Sequence, residues 1–494
     1  MRERLRKAGL RLSEQWLLPL GLVLLALQRT AADPGWHAFW MAREGLDLFS
    51  NSAFVHQDRW SWAPVPHVFV PTSPAWQVLL GAAWSVGGKW TLAAFSFMAV
   101  CACLVALAYV AHALGGTDIR ILVTLSVVGY TASQLIVPRA ALPALCLFIL
   151  HLLWIWKYRA RLLQLRPFNA TLRCASVALL IAFCGIWIHG SWTAFVALIA
   201  ASALFLFWRT PAATATSRLA CAFATAMGSL VGTLSGPLGF TAWKQAAIVA
   251  ENCRGLVLEW MTPIQLGHDW IVIWIAVFIA AAMTSISLAE APRDDATDLR
   301  TVFAILAWCF LMAGLFAVRF VLTAIVFIGL LAATQHGHHT RLPIIASAVR
   351  WLRNRYSNRF GRAVAAGVLL ALFPLVAREL PSTYTMLDST AIARIPSECR
   401  LFSADILAGA VVLERPDVSI WIDGRLDYWG RERLIQARDY FELRDPARLV
   451  PDGSECVLLP KEQRASKLVL ALNRNPSWTR VTSDPTATLW VKST

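Results

Sequence analysis

The residues best suited to chemistry lie in the segment 31–89, directly after the first long apolar stretch. Asp33 follows that stretch by only a few residues, and Asp58 comes later in the same segment. A carboxylate held at the edge of a membrane is costly without a partner, so ionisable residues at such depths are functional candidates. The segment is also rich in indoles, which anchor a chain at headgroup depth or stack on a sugar face or a lipid tail. These tryptophans are Trp36, Trp40, Trp60, Trp62 and Trp76.

The composition indicates which elements must position these residues. Of 494 residues, 57% are apolar and only 15% are charged, and the mean hydropathy is +0.55. Soluble proteins contain about a quarter charged residues. Apolar runs of roughly 20 residues, the length of a membrane-crossing helix, recur from about residue 14 to residue 377. The pattern excludes a soluble enzyme, a disordered chain and a single-anchor protein, and it predicts an α-helical polytopic membrane protein.

We predict about 11 spans, with the N-terminus in the cytoplasm and the C-terminus outside. They are Glu14–Thr30, Trp90–Leu114, Ile119–Val137, Ala141–Trp156, Cys174–Ile188, Trp192–Trp208, Leu219–Leu234, Trp270–Ala289, Thr301–Ala317, Val321–Gln335 and Ala363–Ala377. The membrane domain is then 1–377, with long outer loops at 31–89 and 235–269. The apolar segment Ala75–Gly87 is too short to cross easily, and as a span it would reverse the orientation of all that follows. We interpret it as an interfacial or re-entrant helix.

The net charge of +15 superficially suggests a nucleic-acid partner. The basic residues concentrate beside the predicted spans, however, in Met1–Arg11, Lys157–Arg173 and Arg341–Arg362. Short basic loops mark the cytoplasmic side of a membrane protein and meet anionic lipid headgroups there. The positions of the basic residues therefore indicate the topology of the chain, and they predict membrane lipids as partners. We expect no nucleic-acid binding.

The composition changes after Arg378, where charged residues become frequent and short apolar strands alternate with helical stretches. The pattern predicts an extracytoplasmic α/β domain at 378–494, large enough for its own core. Strands are expected at Arg400–Ser403, Val418–Ile422, Cys456–Leu459, Trp478–Val481 and Ala487–Val491, with helices at Arg431–Glu442 and Lys461–Asn473. Cys399 and Cys456 each begin a predicted strand, and an oxidising compartment would allow a disulfide between them.

No set of residues in the sequence predicts a metal or a cofactor. The other cysteines lie in or beside predicted spans without a metal-binding spacing, and packing explains them. His336, His338 and His339 lie in a basic turn without a nearby carboxylate or thiol, which favours a solvated loop over a metal site.

Several short motifs follow one another along the chain. The first segment contains Asp33, then Trp36-His37, then Gly45, then Asp58-x-x-Ser61. The later motifs are Trp187-x-His189-Gly190, Gly236–Gly239, Glu259-Trp260-x-Thr262-Pro263, Arg319-Phe320 and Ile422-Asp423-Gly424-Arg425-x-Asp427-x-x-Gly430. In this order they resemble the motifs of a bacterial family of GT-C-like polytopic membrane glycosyltransferase-type proteins. The predicted topology places them on the outer side.

The resemblance implies a fold, an activity and a site. It implies transfer of a sugar from a polyprenyl-phosphate donor to an extracytoplasmic glycan or protein acceptor, in the bacterial plasma (inner) membrane. Asp33 would be the general base, and Asp58 a second carboxylate that orients the acceptor or an ion. Trp36, His37, His189, Glu259 and Trp260 would line the polar cavity, and Arg319 would bind the donor phosphate. The chain departs from the family at Thr72–Trp76, where relatives often carry His-Glu-Trp, which weakens a metal-dependent mechanism.

Other interpretations of the same residues stay open. Asp423 and Arg425 can form a local pair in a tight turn, with Asp427 beside them, instead of a ligand site. His189 can belong to a close helix turn, and Arg319 can be a snorkelling anchor. For the whole chain, the alternatives are a lipid or polyol transporter or flippase, and a non-catalytic protein of envelope assembly or sensing. A transporter should show repeated halves with broken helices at the midplane, and the sequence shows no such symmetry.

Overall fold

The computed structural model describes residues 2–31, 36–51, 54–55, 57–66, 68–211, 213–291, 293–334, 385–461 and 466–493. The part before residue 335 is helical. Its helices are α1 (Arg2–Ala31), α2 (Trp36–Asn51), α3 (Pro74–Ala113), α4 (Asp118–Thr131), α5 (Ala141–Leu163), α6 (Pro167–Ile188), α7 (Trp192–Trp208), α8 (Ala215–Leu234), α9 (Phe240–Cys253), α10 (Pro263–Leu266), α11 (His268–Glu290), α12 (Thr297–Ala313) and α13 (Val318–Thr334).

The predicted spans from Glu14–Thr30 to Val321–Gln335 overlap these helices, although α4 ends at Thr131, six residues before the end of the predicted span Ile119–Val137. Within the described residues, the helices long and apolar enough to cross a membrane are α3, α5, α6, α8 and α11, and shorter apolar helices are Leu17–Ala31, α7 and α13. By the length and composition of its helices, the chain is a multi-pass membrane protein. The predicted span Ala363–Ala377, the basic segment Arg341–Arg362 and the histidines 336, 338 and 339 lie outside the described residues.

Helix α3 contains the segment that we predicted to lie at the interface. Its first arm ends at a kink at Gly87–Gly88, and its second arm covers the predicted span Trp90–Leu114. Gly88 has φ of 59°, a left-handed conformation that glycine adopts without steric cost. The first arm packs tightly against α2, because a Cβ on Gly45 would lie 2.0 Å from the carbonyl oxygen of Gln77.

The predicted outer loops are partly helical, which corrects the sequence interpretation. The loop 31–89 contains α2 in addition to the helix expected at Ala75–Gly87, and the loop 235–269 contains α9, a 3₁₀ turn at Leu258–Trp260 and α10. Helices α2, α9 and α10 are short and mix polar with apolar residues. The hydropathy that reveals a span therefore does not reveal them.

The C-terminal region 378–494, here called the tail, contains a five-stranded mixed sheet. The strands are β1 (Arg400–Ser403), β2 (Ser419–Ile420), β3 (Cys456–Pro460), β4 (Trp478–Ser483) and β5 (Ala487–Lys492), and their order in the sheet is β2-β1-β3-β5-β4. Strand β1 is parallel to β2 and β3, while β5 is antiparallel to β3 and β4. Cys399 and Cys456 form a disulfide with Cα atoms 6.2 Å apart, beside the central pair β1 and β3.

Some predicted elements of the tail have different bounds. The predicted strand Val418–Ile422 is only Ser419–Ile420, and the predicted helices are Leu426–Phe441 and Lys467–Arg474. A further helix, Asp405–Glu414, was not predicted. Seven of its ten residues are buried, so it lacks the polar face that gives a helical pattern in the sequence.

The tail shares its core with the first part of the chain. Its buried side chains belong to one cluster with residues of α2, of the segment 60–69 and of the first arm of α3, including Phe39, Trp40, Trp60, Phe69 and Trp76. A separate apolar cluster fills the space between the remaining helices. We call the segment 31–89 the first outer segment, after the side of the membrane predicted for it, and its described residues pack with the tail in one layer beside the helical bundle.

Candidate functional site

The sequence-predicted site residues that the structure describes, together with Arg139, separate into two groups. The first, here called the polar cluster, is His37, Arg139, His189, Glu259, Trp260 and Arg319. The second, here called the clasp, is Asp58, Asp423 and Arg425. Asp33 and the side chains of Trp36 and Asp427 lie outside the described residues.

An ion pair ties together two segments of the polar cluster. Arg139 follows the irregular turn after α4, and its Nη1 contacts Oε1 of Glu259 in the 3₁₀ turn. Both side chains are partly buried, with 20% and 30% of their surface exposed. The sequence interpretation missed Arg139, although a basic residue at an outer span end was a signal that could have found it.

Arg319 lies in the first turn of α13, beside the same 3₁₀ turn. Its guanidinium carbon lies 4.6 Å from the ring centroid of Trp260, and the amide of Val318 donates to the carbonyl of Met261 at 3.0 Å. The cation is therefore held by stacking, which Arg favours because its guanidinium is planar. Among the described residues, the Arg319 guanidinium makes no hydrogen bond or ion pair, and its side chain is partly exposed. Its donors are available to a ligand.

Two histidines in the cluster are held neutral. His189 caps the end of α6, and its Nδ1 accepts a hydrogen bond from the amide of Ser191 at 3.1 Å. Burial and then the charge of Arg319 lower the pKa of His189 to about 3. Burial and then the charge of Arg139 lower the pKa of His37 well below its ordinary value. Neutral imidazoles can donate or accept hydrogen bonds near neutral pH without adding positive charge.

The turn after His189 connects the cluster to the start of α3. The amide of Gly190 donates to the carbonyl oxygen of Thr72 at 2.8 Å. Arg29, in the last turn of α1, donates to the carbonyls of Ser133 and Ile136 at 2.9 and 3.1 Å. These hydrogen bonds join the end of α6 to the segment before α3, and the end of α1 to the irregular turn after α4.

The clasp joins the first outer segment to the tail through one buried guanidinium. Arg425 Nε donates to both oxygens of Asp423 at 3.1 and 2.9 Å, and its Nη2 donates to Asp423 and to Asp58, each at 2.6 Å. The side chains of Arg425, Asp58 and Asp423 are 0% exposed. Burial alone would lower the pKa of Arg425, but the charges of Asp423 and Asp58 raise it above its ordinary value.

Aromatic rings surround the clasp and exclude water from it. The guanidinium carbon of Arg425 lies 4.0 Å from the ring centroid of Trp60 and 5.0 to 5.6 Å from those of Phe69, Tyr428 and Trp429. The indole of Trp429 donates to Asp423 at 2.9 Å. The local Asp423–Arg425 pair that the sequence indicated is present, and it also binds a residue of the first outer segment.

The position of Asp58 differs from the role that the resemblance implied. Its oxygens accept from Arg425, from the amide of Trp60 at 3.3 Å and from the amide of Ser61 at 3.1 Å. The carboxylate faces the tail and is inaccessible to solvent. Among the described residues, no three His, Cys, Asp or Glu side chains form a group that could hold a metal ion.

Comparisons with known proteins found similarity to solved structures. No family model and no curated protein matches the chain. The chain is similar to ArnT from Cupriavidus metallidurans, whose crystal structure is described as bound to undecaprenyl phosphate. The similarity covers 98% of this chain and 98% of that chain, at 12% sequence identity and a TM-score of 0.43.

Proposed function

We propose that the chain transfers a sugar from a polyprenyl-phosphate donor to an acceptor on the outer face of a bacterial plasma membrane. The observation that carries this proposal is the position of the Arg319 side chain. It places a partly exposed guanidinium, without a hydrogen-bonding partner among the described residues, at the end of an apolar helix. A planar fork of donors suits a phosphate, and the adjoining apolar helices suit a lipid tail. We propose that the sugar then lies beside the neutral imidazoles of His37 and His189.

Asp33 is the proposed general base. Along the chain it lies between Arg29, which is bound to backbone carbonyls, and His37 of the polar cluster. In the proposed step, Asp33 takes the proton of an acceptor hydroxyl, whose oxygen forms a bond to the anomeric carbon. The bond between that carbon and the phosphate oxygen breaks, and the electron pair leaves with the lipid phosphate. Arg319 stabilises the additional negative charge on the leaving group.

The proposal requires the polar cluster and the tail to face outwards. We expect a reporter fused after Arg161 to be cytoplasmic and one fused after Gly453 to be extracytoplasmic, because the segment 157–173 is basic and free of acids. A cytoplasmic signal from the tail fusion would contradict the orientation and the proposed reaction together.

The phosphate contact is tested with the purified chain in detergent and a fluorescent polyprenyl phosphate as the probe. Arg319→Gln removes the charge and the fork, and a charge-assisted hydrogen bond contributes about 1.5–3 kcal/mol. We therefore expect the Kd of the probe to rise about 10- to 100-fold. Arg173→Gln is the matched control, because Arg173 is an exposed arginine on α6, 16 residues before His189, or about 24 Å along the helix. An equal Kd for wild type and Arg319→Gln would refute the phosphate contact.

The base is tested by transfer from a mixture of polyprenyl-phosphate sugars in membranes that express the chain. Asp33→Asn keeps the size of the side chain and removes its basicity, so transfer should fall by about 10²–10⁴-fold while probe binding stays near that of wild type. Activity within a few-fold of wild type would show that Asp33 is not the base. Normal probe binding without transfer by the wild-type chain would favour a transporter or a non-catalytic protein.

A further inference from the structure

The clasp is built from parts of the chain that are 367 residues apart. A buried charge is costly unless it is paired and hydrogen-bonded. The side chains of Arg425 and Asp58 are both fully buried, so the carboxylate of Asp58 depends on a cation that the tail supplies. Asp423 supplies a second carboxylate to the same guanidinium.

Backbone hydrogen bonds extend this contact into a short strand. The amide of Ile420 donates to the carbonyl of Trp60 at 2.8 Å, and the amide of Trp62 donates to the carbonyl of Ile420 at 3.2 Å. The segment 60–62 thus lies parallel to β2 at the edge of the sheet. The indole of Trp62 also donates to the carbonyl of Leu401 in β1 at 3.2 Å.

A second set of contacts leads from the clasp to α2. The indole of Trp60, which stacks on Arg425, donates to Asp47 at 2.9 Å, and Asp47 pairs with Arg43 one turn earlier in α2. The turn of the clasp also lies directly on this helix, since a Cβ on Gly424 would be 2.7 Å from the indole nitrogen of Trp40. Helix α2 begins at Trp36, so it carries His37 of the polar cluster and starts three residues after Asp33.

We propose that the clasp is a positioning device, by which the tail fixes α2 and the residues at its start relative to the polar cluster. Arg425 and Asp58 are then positioning residues, and the Asp423–Arg425 turn does not bind a ligand. The effect on transfer rests on the proposed function, whereas the effect on the position of the first outer segment does not.

The charges of the clasp predict an unequal response to two substitutions. Asp58→Asn leaves Arg425 neutralised by Asp423 and removes only the charged link to the first segment. Arg425→Gln leaves two buried carboxylates without a cation, so it should be the more damaging change. Adding Asp58→Asn to Arg425→Gln removes one of those carboxylates and should partly restore the fold.

Hydrogen exchange of the full chain in detergent measures how firmly the first outer segment is held against the tail. The amides of Trp62 and Ile420, which bridge the two parts, should exchange about 10- to 100-fold faster in Asp58→Asn, the range for loss of a charged hydrogen bond. Glu455→Gln is the matched control, because Glu455 pairs with Arg400 in the same tail but is 45% exposed. In Glu455→Gln, the amides of Trp62 and Ile420 should exchange as in wild type.

Kinetics separates a positioning role from direct chemistry. In Asp58→Asn we expect a lower kcat, with the KM for the donor within about 3-fold of wild type, because Arg319 still binds the phosphate. Unchanged exchange with lost activity would overturn the clasp and make Asp58 a catalytic residue. A double variant no more stable than Arg425→Gln would also contradict it. If exchange is faster in Asp58→Asn but the wild-type chain shows no transferase activity, the clasp is supported and only the proposed function is refuted.

Discussion

The disulfide between Cys399 and Cys456 gives the sharpest prediction about stability. It closes a loop of 57 residues that contains β1, β2 and the clasp residues Asp423 and Arg425. In the chain-entropy model, a loop of that length restricts the unfolded chain by about 4 kcal/mol, and measured values are commonly about 2–4 kcal/mol. Replacing both cysteines by alanine should lower the free energy of opening of the tail by this amount.

Hydrogen exchange in the full chain measures that free energy, because slow amides in a sheet exchange through cooperative opening. A change of about 2–4 kcal/mol corresponds to roughly 30- to 1,000-fold faster exchange. We expect this change in peptides that cover β1 and β3, which the disulfide joins, and little change in α5 or α13. The first outer segment should follow the tail, since both belong to one apolar cluster.

Reduced wild-type protein is the control for lost packing, because it keeps both sulfur atoms and loses only the cross-link. It should exchange nearly as fast as the alanine double variant. If exchange in β1 and β3 rises less than about 3-fold in the double variant, the disulfide does not stabilise the tail and the entropic argument fails. If only the double variant is affected, the effect comes from the lost sulfur atoms and not from the cross-link.

Two further predictions concern packing and pH. Gly232 lets α8 approach α6, because a Cβ there would lie 2.3 Å from the carbonyl oxygen of Leu179. Gly232→Val should destabilise the solubilised protein by about 1–3 kcal/mol, seen as a lower midpoint of thermal unfolding, whereas Phe223→Val at an exposed position of α8 should change it little. Burial would raise the pKa of Asp484, but hydrogen bonds from the amides of Ala391 and Ala487 and other donors lower it to about 2. A carboxyl group with a lowered pKa stabilises the fold above its ordinary pKa of 3.8, and this stabilisation is lost as the pH falls towards 2. Asp484→Asn removes that group, so the free energy of unfolding of the tail, followed by fluorescence, should change less between pH 4 and pH 2 than in wild type.

The sequence determined the elements whose signal is local. Runs of apolar residues predicted helices α7, α8 and α11 within a few residues, because the bilayer requires about 20 apolar residues in one continuous stretch. Strands β1 and β3 were predicted for a similar reason, since a short apolar run between polar turns suits a buried strand. Neither inference requires knowing which other part of the chain the helix or strand packs against. Helices α2, α9 and α10 were missed, because the positions of their apolar residues depend on the parts of the fold against which they pack.

The sequence also selected most residues of the polar cluster, because ionisable side chains beside apolar spans are few. Glu259, His189 and Arg319 were predicted to lie together, and in the structure Arg319 lies near enough to the other two for its charge to act on them. Arg139 was not predicted, because its pairing with Glu259 depends on how the turn after α4 meets the 3₁₀ turn.

Only the tertiary structure decided which residue Asp58 pairs with. The sequence shows that a buried carboxylate would need a cation, but it contains 45 lysines and arginines and gives no means of choosing among them. The choice of Arg425 follows from the segment 60–62 joining the edge of the tail sheet and from the aromatic rings that exclude water around both charges. Such a pairing over 367 residues depends on the packing of two surfaces, whereas a span depends only on consecutive residues and the surrounding lipid.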